Sequence, residues 1–341
     1  PRLVAQDKHK FLKLRDRRQQ LETQMPESVF AMISIDENPS DIAIHQRGNH
    51  KTLGQRVPRR FLQVIAGENQ KPYTKGSGRL QLAESMVSSQ NPLLARVLVN
   101  RLWKHHFGSG IVATTDNFGK TGKRPTHPQL LDYLAGYLVE KNWSLKAMHR
   151  LMLMSSTYRM ASRPSNLSKV LDPDNKWLQH NRVRRLEAEA VRDSILAVSG
   201  SLDDTLGGPG IAPFVSDYPD HRGKPRGGPI DGSGRRSKYL QMRRNFINPI
   251  FLAFDYPPPI STMGRRGTST VTSQALMMMN NKFVRREAEL WADRLLTQTS
   301  SRQHRITTMF QKAFGRAPDR VEVRDAEEFL NTQKEEYTNF L

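Results

Sequence analysis

The run PLLARVLVNRLWKHHF at 92–107 constrains the fold more than any other stretch. On a helical wheel Leu94, Leu98 and Leu102 fall on one side, and Val99, Trp103 and Phe107 on another. A helix that is apolar all round is buried. The chain must therefore build a core deep enough to surround it, and 341 residues suffice for that. Asn91 offers an N-cap, Pro92 a first turn and Gly108 a stop. The polar members Asn100, Arg101, His105 and His106 then need partners, because each unpaired buried polar group costs about 1–3 kcal/mol. Adjacent helical residues point about 100° apart, so His105 and His106 do not readily share one metal. They read as hydrogen-bonded interior anchors first, and as ligand or catalytic base second.

The flanking pattern predicts a mainly α domain. Helices are expected over 3–24, 78–89, 126–142, 144–160 and 184–202, and again over four segments of the last hundred residues. Thr126 and Ser144 are the expected caps. Short strands are expected at 29–37 and 41–48, with a third extended piece near 59–67. A β insert is expected at 237–246, after a Gly/Arg-rich loop. The organisation read from this is a connecting charged helix (1–28), a small β-containing segment (29–75) and a helical core (76–341) with a loop insert at 207–245. No apolar run reaches the roughly 18 residues of a membrane span.

Cysteine is absent. That excludes disulfides, thiolate zinc sites, iron–sulfur clusters and a covalently attached c-type haem in this chain. The formal charge is +20. The excess is spread along the chain without a recognition motif or basic tail, so nucleic-acid binding ranks behind a basic surface and behind a polyanion site. The GKT at 119–121 is not a phosphate loop, because the glycine required five places earlier is Thr114.

Two stretches carry candidate chemistry. In RRLEAEAVRD (184–193), Arg185, Glu189 and Asp193 recur every four residues. That spacing gives a salt-bridge ladder with Arg185 and Arg192, or an acid–base pair. The 207–236 loop sets Asp220 and His221 beside a series of arginines. Guanidinium forks bind carboxylate, sulfate or phosphate in a bidentate manner. Arg235, Arg236 and Arg243, with Arg265 and Arg266 of GRRGTST and Arg101 of the central helix, are the candidate ligand-binding residues. The candidate acid–base residues are His221, Asp220, Glu189, His105 and His106. No metal site is expected.

The ordered motifs GRLQLAESMVSSQNPLLARVLVNRLWKHHFGSGIVATTDNFGKTGKRPTHPQLLDYLA, WSLKAMHRLMLMSSTYRMAS, RRLEAEAVRDSILAVSG, GRRSKYLQMRRN and FDYPPPISTMGRRGTSTVTSQALMMMNNKFV carry a resemblance. Together they resemble the planctomycete-associated domain of unknown function that lies C-terminal to planctomycete cytochrome c-like domains. The resemblance implies a secreted or periplasmic multidomain protein and transfers no catalytic residue. Any haem would sit on a partner domain or subunit, since this chain has no cysteine for it. The leading expectation is a scaffold or binding module that docks sister domains or a cytochrome-type partner and grips an anionic group. The second is an enzyme on anionic or sulfated polysaccharide, and the third is nucleic-acid binding.

Overall fold

In a computed structural model of the chain, the residues described are 5–25, 32–214, 227–260, 262–299 and 301–339. They form thirteen α-helices and one two-stranded antiparallel sheet near the N-terminus, the mainly α architecture that the sequence implies. The chain divides into two compact units, 1–94 and 95–341.

In the first unit, α1 (Ala5–Gln24) exposes every described side chain. The hairpin lies later than expected: β1 (Ile42–His45) pairs with β2 (Leu53–Val57). Arg47 and Gly48 turn the chain with left-handed backbones, and the Asn49 side chain accepts from the Lys51 N–H at 2.9 Å. Residues 32–37, expected as a strand, form none. Asp36 there accepts from the Ser77 N–H at 2.7 Å and from Arg79, and these bonds hold its carboxyl at about 2. The third extended piece contains instead one helical turn, α2 (Gln63–Ala66), and α3 (Arg79–Val87) follows.

In the second unit, α4 (Pro92–Phe107), α5 (Pro128–Glu140) and α6 (Leu145–Met154) enclose one apolar cluster. Val99, Leu138 and Met148 have no exposed surface there. Ser144 caps α6 as expected, accepting from the Ala147 N–H at 3.3 Å. Thr126 does not cap α5; its hydroxyl and N–H both turn back to the Ile111 carbonyl. Beyond α7 (Asn166–Leu171), a second cluster joins α8 (Ala188–Ser199), α9 (Pro249–Ala253) and α11 (Lys282–Gln298), with α10 (Thr272–Asn280) alongside. The chain continues through α12 (Arg302–Phe314) and α13 (Arg320–Asn339). Gly315 stops α12 in a left-handed conformation, and Asp319 and Glu322 cap α13 reciprocally.

Two further expectations need correction. The helix predicted from 184 begins at Ala188, after Glu187 with an extended backbone, and Arg184 and Arg185 lie outside any regular element. The β insert at 237–246 reduces to a 3-10 turn at Ser237–Tyr239 and two isolated bridges, Asp203 to Arg235 and Ile211 to Leu240. Side chains hold that segment where a ladder was expected. Asp193 accepts from both the N–H and the hydroxyl of Ser237, at 2.8 and 2.6 Å. Arg192, 1% exposed, donates to the carbonyls of Arg235 and Asp231 and to the Ser237 hydroxyl. No helix among the described residues is long and apolar enough to cross a membrane.

Candidate functional site

The central helix α4 is buried on one side only. Asn100 is fully buried, and its amide pairs with both backbone groups of Val112, at 2.8 Å to the N–H and 2.9 Å to the carbonyl. His106 is half-buried, with its Nε2 2.8 Å from His149 Nδ1 and the Tyr158 ring edge-on at 5.9 Å. Burial first, then His149, Arg184 and His105, hold its pKa below the ordinary value. These two residues found the partners that their setting demands. Arg101 and His105 did not need them, because both are exposed.

Arg101, Lys104 and His105 follow the helical spacing i, i+3, i+4 and so share one face. The segment 262–267 lies against it. The Gly264 carbonyl accepts from Lys104 Nζ at 2.5 Å and from the Thr115 hydroxyl at 2.8 Å. Glycine is required here by close approach: a Cβ would lie 2.2–2.4 Å from the Asp116 carboxyl. The chain bends at Gly264 and Arg265, and the consecutive arginines go opposite ways. Arg266 turns inward to Glu189 at 2.6 Å and Glu187 at 3.1 Å, with the Tyr256 ring 5.5 Å away. Arg265 stays exposed.

The result is a cationic ledge of Arg101, Lys104 and Arg265. Burial pushes the Lys104 ammonium below its ordinary pKa, Arg265 and Arg101 push it further, and Glu187 and Asp116 oppose them. Among the described residues, Arg101 and Arg265 have no hydrogen-bonding or ion-pair partner. Arg184 closes one end by donating to the His105 carbonyl at 2.7 Å.

A family model described as "Protein of unknown function (DUF1553)", PSD1, matches residues 78–330. The chain belongs to this family. No curated protein and no solved structure shows a significant match to it. The ledge lies within the matched span.

The other candidate residues separate into several environments. Arg235 is engaged inside its own loop: it donates to the carbonyls of Thr205 and Gly207 at 3.1 and 2.6 Å and lies over the Tyr239 ring at 4.2 Å. Arg236 is half-buried, its Nε without a partner among the described residues. Arg243 is exposed and reaches only Gln241, at 3.5 Å. The expected ladder of Arg185, Glu189 and Asp193 is split three ways. Arg185 donates to the Ser269 carbonyl and lies over Phe254, Glu189 bonds Arg266, and Asp193 bonds Ser237 while keeping the expected pairing with Arg192 at 3.4 Å. His221 and Asp220 lie outside the described residues. Among the described residues, no group of three or more His, Asp or Glu could hold a metal ion. Lys104, Asp116 and Gly264 were missed from the sequence. The signal for Lys104 was its three-residue spacing from Arg101; nothing local signalled the other two, which lie 12 and 160 positions away.

Proposed function

We propose that this domain is a docking module whose ledge of Arg101, Lys104 and Arg265 receives the acidic face of another protein. On this reading the chain is the C-terminal module of an extracytoplasmic multidomain protein, of the planctomycete type that its motifs resemble. The partner is a sister domain of the same precursor or a cytochrome-type protein, and any haem belongs to that partner. The observation that carries the reading is a set of adjacent cations that, among the described residues, have no carboxylate partner of hydrogen-bond or ion-pair quality. Burial first, and then repulsion from Arg265 and Arg101, already disfavour the Lys104 charge, and an arriving carboxylate relieves this.

Arg101 and Arg265 are exposed on either side of the half-buried Lys104, which suits a protein surface. The acid–base alternative has less support, because Glu189 is committed to Arg266 and His106 to His149. The test is binding to an acidic c-type cytochrome, followed by carboxyl-to-amine cross-linking mapped by mass spectrometry. Binding should weaken as salt rises from 20 to 200 mM (about 20 Å to 7 Å of screening length), and Lys104 should be cross-linked. Each exposed charge contributes about 0.2–1 kcal/mol, so Arg101→Gln with Arg265→Gln should weaken binding about two- to thirtyfold. Unchanged affinity in that double variant would overturn the reading, as would equal affinity for duplex DNA.

A further inference from the structure

The face of α4 that carries Trp103 and Phe107 lines a cleft of about 240 Å³. We infer that this cleft binds a small organic anion: one carboxylate or sulfate on a single-ring body with an apolar face. The inference goes beyond the docking role, because Arg101 and Lys104 lie on a different face of the helix and no ledge residue lines the cleft.

The volume is below the roughly 300–1,000 Å³ of pockets for drug-sized ligands, which leaves room for one ring. The floor is apolar. Trp103 and Phe107 stack with ring centroids 3.9 Å apart, and Ile111 and Leu178 flank them. The rim is cationic once internal pairs are set aside. Lys176 is paired with Asp174 at 3.0 Å. Arg182 donates to the backbone carbonyl of Asp174 and acts on the Asp172 carboxylate only through space, with no hydrogen-bonded or ion-paired carboxylate among the described residues. His127 bonds Thr126 through Nδ1 at 3.0 Å, which leaves Nε2 for a ligand. An arginine and an imidazole above an aromatic floor match an anionic head on an apolar ring.

The wall is held against its own preference. Asn175 and Leu178 both have left-handed backbones, φ 49° and 56°. A leucine in that region is strained and persists only where its surroundings over-determine it. Here they do. The buried Asn175 amide accepts from the Gln179 N–H and donates to the His180 carbonyl, each at 2.8 Å. The buried Asp172 carboxylate takes the N–H groups of Lys176 and Trp177 at 2.8 and 2.7 Å. The strain sets Leu178 into the cleft wall and onto the apolar cluster. Strain maintained at this cost clusters at ligand clamps.

The test titrates the full chain with D-glucuronate, benzoate, inorganic sulfate and D-glucose, read by tryptophan fluorescence and by the Trp103 indole N–H resonance. At least one ring anion should bind saturably, at least fivefold tighter than sulfate or glucose. Which ring anion wins distinguishes a sugar acid from an aromatic acid. Arg182→Gln should weaken that binding at least fivefold. Ala113→Trp, an exposed lining position that needs no refolding of the wall, should block it. Failure of both ring anions, equal binding of inorganic sulfate, or full binding by Ala113→Trp would overturn the inference. None of these outcomes bears on the ledge, whose test uses a protein partner.

Discussion

Asn100→Ala is the most informative single perturbation of the fold. Asn100 has no exposed surface, and Val112, its partner, is 2% exposed. The amide supplies both an acceptor and a donor to one residue of the loop that returns from α4, as a neighbouring strand would. Alanine leaves the Val112 N–H and carbonyl buried without partners. Each unpaired group costs about 1–3 kcal/mol, and the lost side-chain volume adds a small cavity. The total is about 3–5 kcal/mol. For a unit of this size, 1 kcal/mol moves the melting temperature by about 2–4 °C, so a fall of about 6–20 °C is expected in calorimetry.

The same geometry makes Asn100→Asp a pH-dependent variant. A protonated carboxyl can donate to the Val112 carbonyl and accept from its N–H, as the amide does. An ionised carboxylate can only accept, and burial disfavours its charge, so the folded state raises the pKa of the introduced group. Stability is therefore full below the unfolded pKa of about 3.9 and declines as pH rises through the raised folded value. The variant should lie near the parent at pH 4 and fall away from it by pH 7. Gly110→Ala tests the approach from the other side, since a Cβ there would lie 2.5 Å from the Val112 carbonyl and 2.8 Å from the Asn100 amide. Because all three changes act on one contact, Asn100→Ala with Gly110→Ala should cost less than the sum of the two. A melting temperature for Asn100→Ala within about 2 °C of the parent would refute the reasoning.

Three further outcomes are expected. Arg192→Met should cost about 3–5 kcal/mol in denaturant unfolding, because it leaves the Arg235 carbonyl unpaired, leaves the Asp231 carbonyl with only the Gly234 N–H, and removes the cation beside buried Glu287; a loss under 1 kcal/mol would contradict it. The depressed pKa of His106 means that the unfolded chain takes up its proton at higher pH than the folded one. Its contribution is therefore full above about pH 6.5 and is lost as pH falls through the folded value. His106→Gln should flatten the melting temperature between pH 7 and 5, and an unchanged slope would count against the imidazole pair with His149, Tyr158, Arg184 and His105 around it. Glu322, bound by Arg316 and the Asp319 N–H, should titrate at about 2 by carboxyl NMR and not in the ordinary range, and Arg316→Gln should return it upward.

What was legible in the sequence was periodic. The 92–107 helix, the Ser144 cap and the α10–α13 series all follow from apolar spacing and local capping, which act within a few residues. What was not legible depended on long-range side-chain bonds to backbone. Thr126 looked like a cap, but the Ile111 carbonyl claims it from 15 residues away. The strand expected at 237–246 has suitable residues, yet Asp193 and Arg192 hold its backbone from more than 40 positions upstream. The arginines of the site show the same limit. Arg235 and Arg265 stand in similar basic dipeptides, and only the fold separates them: one lies over Tyr239 and binds its own loop, and the other faces solvent.

That separation bears on where a basic chain keeps its usable charge. A guanidinium can satisfy five donors, so in a Gly-rich loop it tends to collect carbonyls, as Arg235 does. The loop is then braced by its own cations and has little left for a ligand. A packed helix offers no such carbonyls along its exposed face, because the backbone already uses them. Arg101 and Lys104 are therefore held in place by a rigid element while keeping charge to spare, and Gly264 brings Arg265 beside them from a distant segment. The docking proposal puts recognition on α4 and leaves the described part of the arginine-rich 207–236 segment to brace its own loop. It would fail if Arg235→Gln weakened partner binding more than Arg101→Gln without lowering the melting temperature.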